Sequence, residues 1–375
     1  MRIGLDGYPL SEPRTGVGHY TLELSRALAV ANPEDHFELV SPAPFDPDLR
    51  DGNTVPNLTF VKAKSSSIRG HWWSVGLPLY AKRASLDLFH GTNFELPLWR
   101  RRHTVLTIHD LSALRYPELH RPRLVRRARL RLPLAARLAN AIITPTEAVK
   151  REVCEQFGLR SEKVTAIHEA PRAAFQPLPL AESAEVRRRL GVRDEFLLFV
   201  GSLEPRKNLL TLLKAFAELL RHTPWRPQLV VAGGEGWLMD ETFSFMKAAE
   251  IDEHLHLTGY LEDEDLRALY SSCRTFIYPS LYEGFGLPPL EAMACGAPVI
   301  ASRIPALQET LGDAAIWIQP LDVDGLAKAI VELWQNDERR RAMIANGPKY
   351  VARFSWGKAA ELTYEVYRKV LIRNR

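Results

Sequence analysis

Two glutamates, Glu283 and Glu291, frame the densest chemistry in the chain, within Pro279-Ser280-Leu281-Tyr282-Glu283-Gly284-Phe285-Gly286-Leu287-Pro288-Pro289-Leu290-Glu291. The apolar run Thr275–Tyr278 ends just before it, and Pro288 and Pro289 stand where the first turn of a helix accepts proline. Gly284 and Gly286 let the backbone come close to a ligand. The N–H groups at the helix start then form an anion site. In that setting one carboxylate is expected to face sugar hydroxyls, and the other to accept hydrogen bonds from a ribose diol. As isolated residues, Glu291 would only favour the helix dipole and Glu283 would be a solvated loop residue.

A second cluster, Gly201-Ser202-Leu203-Glu204-Pro205-Arg206-Lys207-Asn208, also follows an apolar run and precedes a helical pattern. Arg206 and Lys207 at such an entrance suit a diphosphate, because arginine binds two oxygens at once and lysine supplies a point charge. Asn208 is placed to cap the helix. Taken alone, two adjacent cations are as often simply solvated. Nearer the start, Thr15-Gly16-Val17-Gly18-His19-Tyr20 would bring backbone N–H groups up to a phosphate, although Thr21 stands where a dinucleotide fingerprint needs glycine. His109, in Thr107-Ile108-His109-Asp110-Leu111, ends a strand candidate and so belongs at a site edge, which leaves a structural and a functional role both open. His90 is a weaker candidate of the same kind.

Such groups need rigid strand ends to hold them. Strand candidates are Arg2–Leu5, Phe37–Val40, Leu58–Val61, Leu86–Phe89, Val105–Ile108, Ala141–Thr144 and Lys163–Ile167. The second half offers Phe196–Val200, Gln228–Ala232, Leu255–Leu257, Thr275–Tyr278, Pro298–Ala301 and Ile316–Ile318. Helical patterns lie between them, at Tyr20–Ala31, Ala184–Leu190, Leu209–Leu220, Asp263–Ser271 and Leu326–Gln335, with Lys358–Leu371 last. This alternation predicts α/β architecture with parallel sheets, and so many strands call for two doubly wound domains. Pro171, Pro177 and Pro179 interrupt the periodicity and place the boundary within 170–182. The first domain is therefore expected over residues 1–178 and the second over 179–355, followed by a terminal helix in 356–375. Ligands of such sheets sit beyond the carboxyl ends of the strands, so a cleft between the domains is the default site.

The remaining composition excludes several classes. Of 375 residues, 46% are hydrophobic and 25% charged, as in ordinary globular domains. Three dispersed cysteines without a CxxC pair argue against a disulfide framework or a zinc site. The start of the chain enters a strand directly, without the apolar stretch of a secretory signal. No apolar run approaches the roughly 18 residues of a membrane span. A cytoplasmic protein is expected. Its net charge of +4 is uneven, with basic residues in excess to residue 180 and acidic ones beyond.

In these motifs the chain resembles the retaining glycosyltransferases of the large GT4 class, which have the two-domain GT-B fold. The most specific part is SLYEGFGLPPLEAMACGAPVIAS, and TGVGHY, His109-Asp110, TPTEAV (144–149) and GSLEPRKN support it over nearly the whole chain. The resemblance implies two Rossmann-like domains facing across a cleft, acceptor-side then nucleotide-sugar-binding, with the C-terminal helix crossing back to the first. It implies that Gly16 contacts the donor phosphate, His109 the transferred sugar, and Arg206 and Lys207 the diphosphate leaving group. Glu283 would hold sugar hydroxyls, and Glu291 the ribose. Gly201 and Gly284 would line the donor site, where Phe285, Gly286 and Leu287 offer backbone N–H groups, and Tyr260 and Leu261 would lie beside the nucleobase. The chain departs from the family in having Ser202 where arginine often follows the strand-ending glycine, which leaves that charge to Arg206.

Likeness of EGFGLPPLEAMACG to bacterial mannosyl- and rhamnosyltransferases of surface polysaccharides makes GDP-mannose the expected donor and a glycan or lipid-linked molecule the acceptor. No cofactor or metal is expected, because positioned cations and helix N-termini replace one at the leaving group. Asp263/Asp265 and Asp322/Asp324 lie beside helix patterns where acidic residues are ordinary. The arginine-rich run Arg121–Arg131 reads either as a solvated helix face or as peripheral contact with an anionic inner-membrane surface, to which Trp72, Trp73 and Trp99 would add. Rival functions are a sugar-nucleotide epimerase of the same architecture and a non-enzymatic nucleic-acid binder using the arginine run; the second leaves both charged clusters unexplained, so no nucleic-acid partner is expected.

Overall fold

A computed structural model describes the chain except for residues 12–14, 47–48, 50–54, 64–71, 98–102, 235 and 373–375. It divides into two compact units. The first holds Met1–Arg115, Pro122–Ala170 and Ser355–Arg375, and the second holds Tyr116–Arg121 and Pro171–Phe354.

The first unit is built on a parallel sheet of β1 (Arg2–Asp6), β2 (His36–Ser41), β3 (Leu58–Lys62), β4 (Leu88–Gly91), β5 (His103–Thr107), β6 (Ala141–Thr144) and β7 (Val164–Ala166), in the order β3-β2-β1-β4-β5-β6-β7. Because side chains alternate along a strand, neighbouring residues feed opposite faces. Val105 and Ile143 join one apolar cluster, with helix Gly16–Ala31 and helix Trp356–Ile372. Leu106 and Ile142 join the other, with helix Pro122–Leu138 and helix Glu147–Phe157. The terminal helix thus belongs to the first unit, with Ala360, Tyr367 and Val370 buried there.

The second unit carries β8 (Phe196–Val200), β9 (Gln228–Ala232), β10 (Leu255–Gly259), β11 (Thr275–Tyr278), β12 (Val299–Ser302) and β13 (Ile316–Ile318), all parallel, in the order β10-β9-β8-β11-β12-β13. Its central strands are covered on both faces and so read as mainly apolar runs: β9 and β11 are buried throughout, each with one polar residue at its start. Helix Leu209–His222 and helix Val323–Gln335 pack over them through Leu212, Phe216, Ile330 and Leu333.

The boundary expected at residue 178 lies earlier, between Ala170 and Pro171. The proline-rich segment is a packed strap. Phe175 meets the edge of Tyr270, Arg267 donates to the carbonyls of Gln176 and Pro177, and the Leu178 amide donates to Ser271 Oγ. Among the described residues no helix is long and apolar enough to cross a membrane.

Candidate active site

Strand order reverses direction in the second unit between β8 and β11, and in doubly wound sheets that reversal opens a crevice at the carboxyl ends of the strands. Both charged clusters leave from these two strands. After β8 the chain makes a short 3-10 turn, Pro205–Lys207, and Asn208 enters helix Leu209–His222 in the left-handed region, φ 56°. Asn208 stands at the cap position but does not cap. Its amide donates to the Pro279 carbonyl at 2.9 Å and its oxygen accepts from Thr211 at 2.7 Å. With the Leu281 amide donating to the Arg206 carbonyl at 2.9 Å, the β8 and β11 loops are fastened together.

This fastening brings Arg206, Lys207 and Glu283 into one group. Lys207 Nζ donates to Glu283 Oε1 at 2.7 Å and to the Tyr278 hydroxyl at 2.8 Å, and that hydroxyl in turn donates to Glu283 Oε1 at 2.9 Å. Arg206 donates to Glu283 Oε2 at 3.0 Å and to the Tyr282 carbonyl at 3.0 Å, and also pairs with Glu204. All three charged groups are nearly buried. Burial alone would raise the Glu283 carboxyl, but Lys207 and then Arg206 lower it by more, to about 2. Burial lowers the Lys207 ammonium, and Glu283 recovers part of that shift. The product is a fixed carboxylate with a cation on each oxygen. Gly201 lies against the Lys207 stem, where a Cβ would be 3.5 Å from it.

Gly286 precedes helix Leu287–Ala294 at φ 95°, and a Cβ there would stand 2.4 Å from Leu307 Cδ2. Only glycine meets both conditions. Pro288 and Pro289 follow, so the backbone N–H groups at this end belong to Leu287 and the residues just before it. Glu291 is buried one turn on, within a second ionic group. Its Oε1 accepts from Arg172 Nε at 2.9 Å, and Arg172 also pairs with Asp263 and lies over the Phe175 ring. Burial raises the Glu291 carboxyl and Arg172 opposes it. The carboxylate expected to hold a ribose already carries a partner on one oxygen. Tyr260 and Leu261 follow the edge strand β10, with Tyr260 half exposed.

In the first unit, Gly16 opens its helix, and no atom of the described residues lies within 4 Å of an added Cβ there. His109 is buried, with Nε2 donating to the Thr92 carbonyl at 2.8 Å and Nδ1 facing Glu169 Oε1 at 3.2 Å. Burial depresses its pKa, but Glu169, the Thr92 carbonyl and Asp110 raise it further, so the shift is upward. Both ring nitrogens are thus engaged inside the unit, and the ring expected to grip a sugar is held by its own neighbours. His90 is structural: it lies between the Tyr367 hydroxyl (2.6 Å) and Thr107 (2.8 Å), and burial lowers it to about 3.

The acidic pairs are also in use. Asp265 pairs with Arg189, and Asp322 caps helix Val323–Gln335 by accepting from the Gly325 amide at 2.8 Å. The arginine run is split: Arg121 belongs to the second unit, over the Trp237 ring, while Arg127 and Arg131 share Glu95 in the first. Trp99 lies outside the described residues. Sequence reasoning missed Tyr278, Arg172 and Glu169. Tyr278 alone left a signal, as a phenol at the carboxyl tip of the apolar strand that leads into the Glu283 loop.

The chain is similar to known proteins over most of its length. Residues 14–170 match the family model for Glycosyltransferase Family 4, and residues 183–350 match that for glycosyl transferases group 1. The O-antigen chain mannosyltransferase B of Escherichia coli is 32% identical over 98% of this chain and 100% of its own length. The O-antigen chain mannosyltransferase RfbU of Salmonella typhimurium is 25% identical over 82% of each. The solved sucrose-phosphate synthase of Thermosynechococcus elongatus is 22% identical, covers 99% of both chains and superposes with a TM-score of 0.77, a likeness of fold.

Proposed function

This chain belongs to the group 1, family 4 glycosyltransferases and is a transferase enzyme of GT-B type, and on that footing we propose that it moves mannose from GDP-mannose to a glycan or lipid-linked acceptor with retention of configuration. The observation that carries the reading is the Lys207–Glu283–Arg206 group at the carboxyl ends of β8 and β11. The mannosyl specificity rests on the O-antigen relatives.

The residues divide the chemistry as follows. Charge develops on the departing diphosphate, and Lys207, Arg206 and the N–H groups around Gly286 and Leu287 neutralise it without moving. A carboxyl held at about 2 is a poor proton donor near neutral pH, and with a cation on each oxygen Glu283 is a poor nucleophile. It fits a positioning acceptor for sugar hydroxyls. That favours same-face displacement, in which the departing phosphate takes the acceptor's proton. His109 borders the sugar through its ring carbons, since its nitrogens are engaged. Glu291, oriented by Arg172, faces the ribose, with Tyr260 and Leu261 beside the base. Gly16 adds its amide to the donor phosphate.

We propose further that no divalent cation takes part, and that the enzyme works at the inner face of a membrane. Helix Pro122–Leu138 supports the second point, because it exposes Leu124, Leu130 and Leu134 among its arginines. Thermal shift against GDP, UDP and dTDP, followed by transfer from the matching sugar nucleotide and NMR of the product anomer, tests the whole. Stabilisation by GDP, an α-linked mannosyl product and rates unchanged by EDTA are expected. A free altered sugar, activity restored only by manganese, or binding to UDP alone would overturn the corresponding part.

A further inference from the structure

His109 stands in the loop that leaves β5, at the carboxyl end of the first unit's sheet, and both of its ring nitrogens meet oxygens that accept. Nε2 is 2.8 Å from the Thr92 carbonyl, which can only accept, and Nδ1 is 3.2 Å from Glu169 Oε1. A neutral imidazole has one N–H and cannot donate to both; an imidazolium can. The neutral alternative needs a protonated Glu169 that donates to Nδ1. An ordinary carboxylic acid is stronger than an imidazolium by about 2 pKa units, so the shared proton belongs on the ring.

The surroundings agree with that placement. Tyr20, from helix Gly16–Ala31, meets the ring edge-on with centroids 4.6 Å apart, and Phe94, from the loop after β4, does so at 5.7 Å. Burial pushes the Tyr20 hydroxyl up, so it adds no charge, and burial keeps His90 at the end of β4 neutral. Asp110, next in the chain, adds negative charge while it accepts from the Ser112 amide and hydroxyl. Burial lowers the His109 ring, but Glu169, then the Thr92 carbonyl and Asp110, raise it by more. Glu169 is itself buried and comes from the segment after β7, within the same unit. In a site of low dielectric, a charged ring held this way acts strongly on nearby oxygens.

We infer that Glu169 is a positioning residue for transfer: it keeps His109 doubly protonated and its ring fixed, so that His109 presents a charged carbon edge to the sugar and neither takes nor gives a proton. The inference deepens the glycosyltransferase reading and rests on it for the sugar, but the charge state of the pair is measurable without turnover.

Protein labelled with nitrogen-15 histidine is followed by NMR from about pH 5 to about pH 8, with His109 assigned by its loss in His109→Asn. At pH 7, above the ordinary histidine midpoint, the wild-type ring should still carry both N–H groups. Glu169→Gln keeps the side chain's size and can donate its amide to Nδ1, so it removes the charge and leaves the ring in place. His109 should then titrate at least about 1 pH unit lower and be mostly neutral at pH 7. Turnover of this variant at pH 7 should fall at least about 10-fold, the order for removing a positioned charge, and should recover as pH is lowered and the ring regains its proton. Glu169→Asp, which restores the charge, should keep most of the wild-type rate. The thermal shift produced by GDP should be the same in all these proteins, because Arg206, Lys207 and Glu291 lie in the second unit. A wild-type ring that is neutral at pH 7 overturns the proposal, as does wild-type turnover by Glu169→Gln at that pH. A loss of equal size at every pH gives Glu169 a packing role only and overturns it too. If the spectra behave as expected but no sugar moves from any nucleotide, the charged pair stands and the function falls.

Discussion

Replacing Glu283 by glutamine keeps the side chain's shape and removes its charge from between two buried cations. The wild-type carboxyl sits at about 2 against an ordinary 4.5, with burial pushing it up and Lys207, then Arg206, pulling it down by more. At about 1.4 kcal/mol per pKa unit this difference contributes about 3 kcal/mol to native-state stability. Loss of one partner from a buried pair has a cost of the same order, about 3–5 kcal/mol. The folded value lies below the unfolded one, so the stabilisation is complete above about pH 4.5 and is lost as pH falls through about 2. Urea unfolding followed by tryptophan fluorescence should therefore find Glu283→Gln weaker by about 3 kcal/mol at pH 7, with the gap narrowing to about 1 kcal/mol at pH 3. A gap of equal size at both pH values, or none at pH 7, would refute the claim that charge holds this loop in place.

Three further outcomes follow from the same geometry. Lys207→Ala should lower turnover by at least about 100-fold, read from initial rates, because it removes a preorganised charge from the leaving group. Arg172→Met leaves burial of Glu291 unopposed, so the donor KM should rise about 10-fold near neutral pH and recover as pH increases and the carboxylate ionises. Gly286→Ala forces a side chain into φ 95° and against Leu307, and should cost about 1–3 kcal/mol in thermal unfolding; adding Leu307→Ala should return the steric part and leave the conformational part.

The sheets were legible in the sequence because a parallel strand covered on both faces must be apolar along its length, as Phe196–Val200 is throughout and β9 is after its opening Gln228. Helices whose exposed face is long or charged were harder to read. Pro133 sits inside helix Pro122–Leu138, and the acidic start of helix Asp240–Ala248 hid its short apolar face. In the site, Lys207 and Glu283 were visible as candidates because each stands in the loop that leaves an apolar strand, β8 or β11. Arg172 was not, since its partners Glu291 and Asp263 lie far along the chain and its prolines resembled a spacer. Glu169 escaped for the same reason, and with it the fact that both His109 nitrogens are occupied.

The helix Trp356–Ile372 seals the apolar face of a unit whose other strands and helices were all synthesised before residue 171. During translation that face stays unroofed until the second unit has left the ribosome. The second unit, complete once residue 354 is made, can mature first, while the part of the chain before residue 171 waits for its last wall. Nascent chains released before residue 356 should expose Leu24, Leu28 and Ile143 and be the ones that chaperones retain.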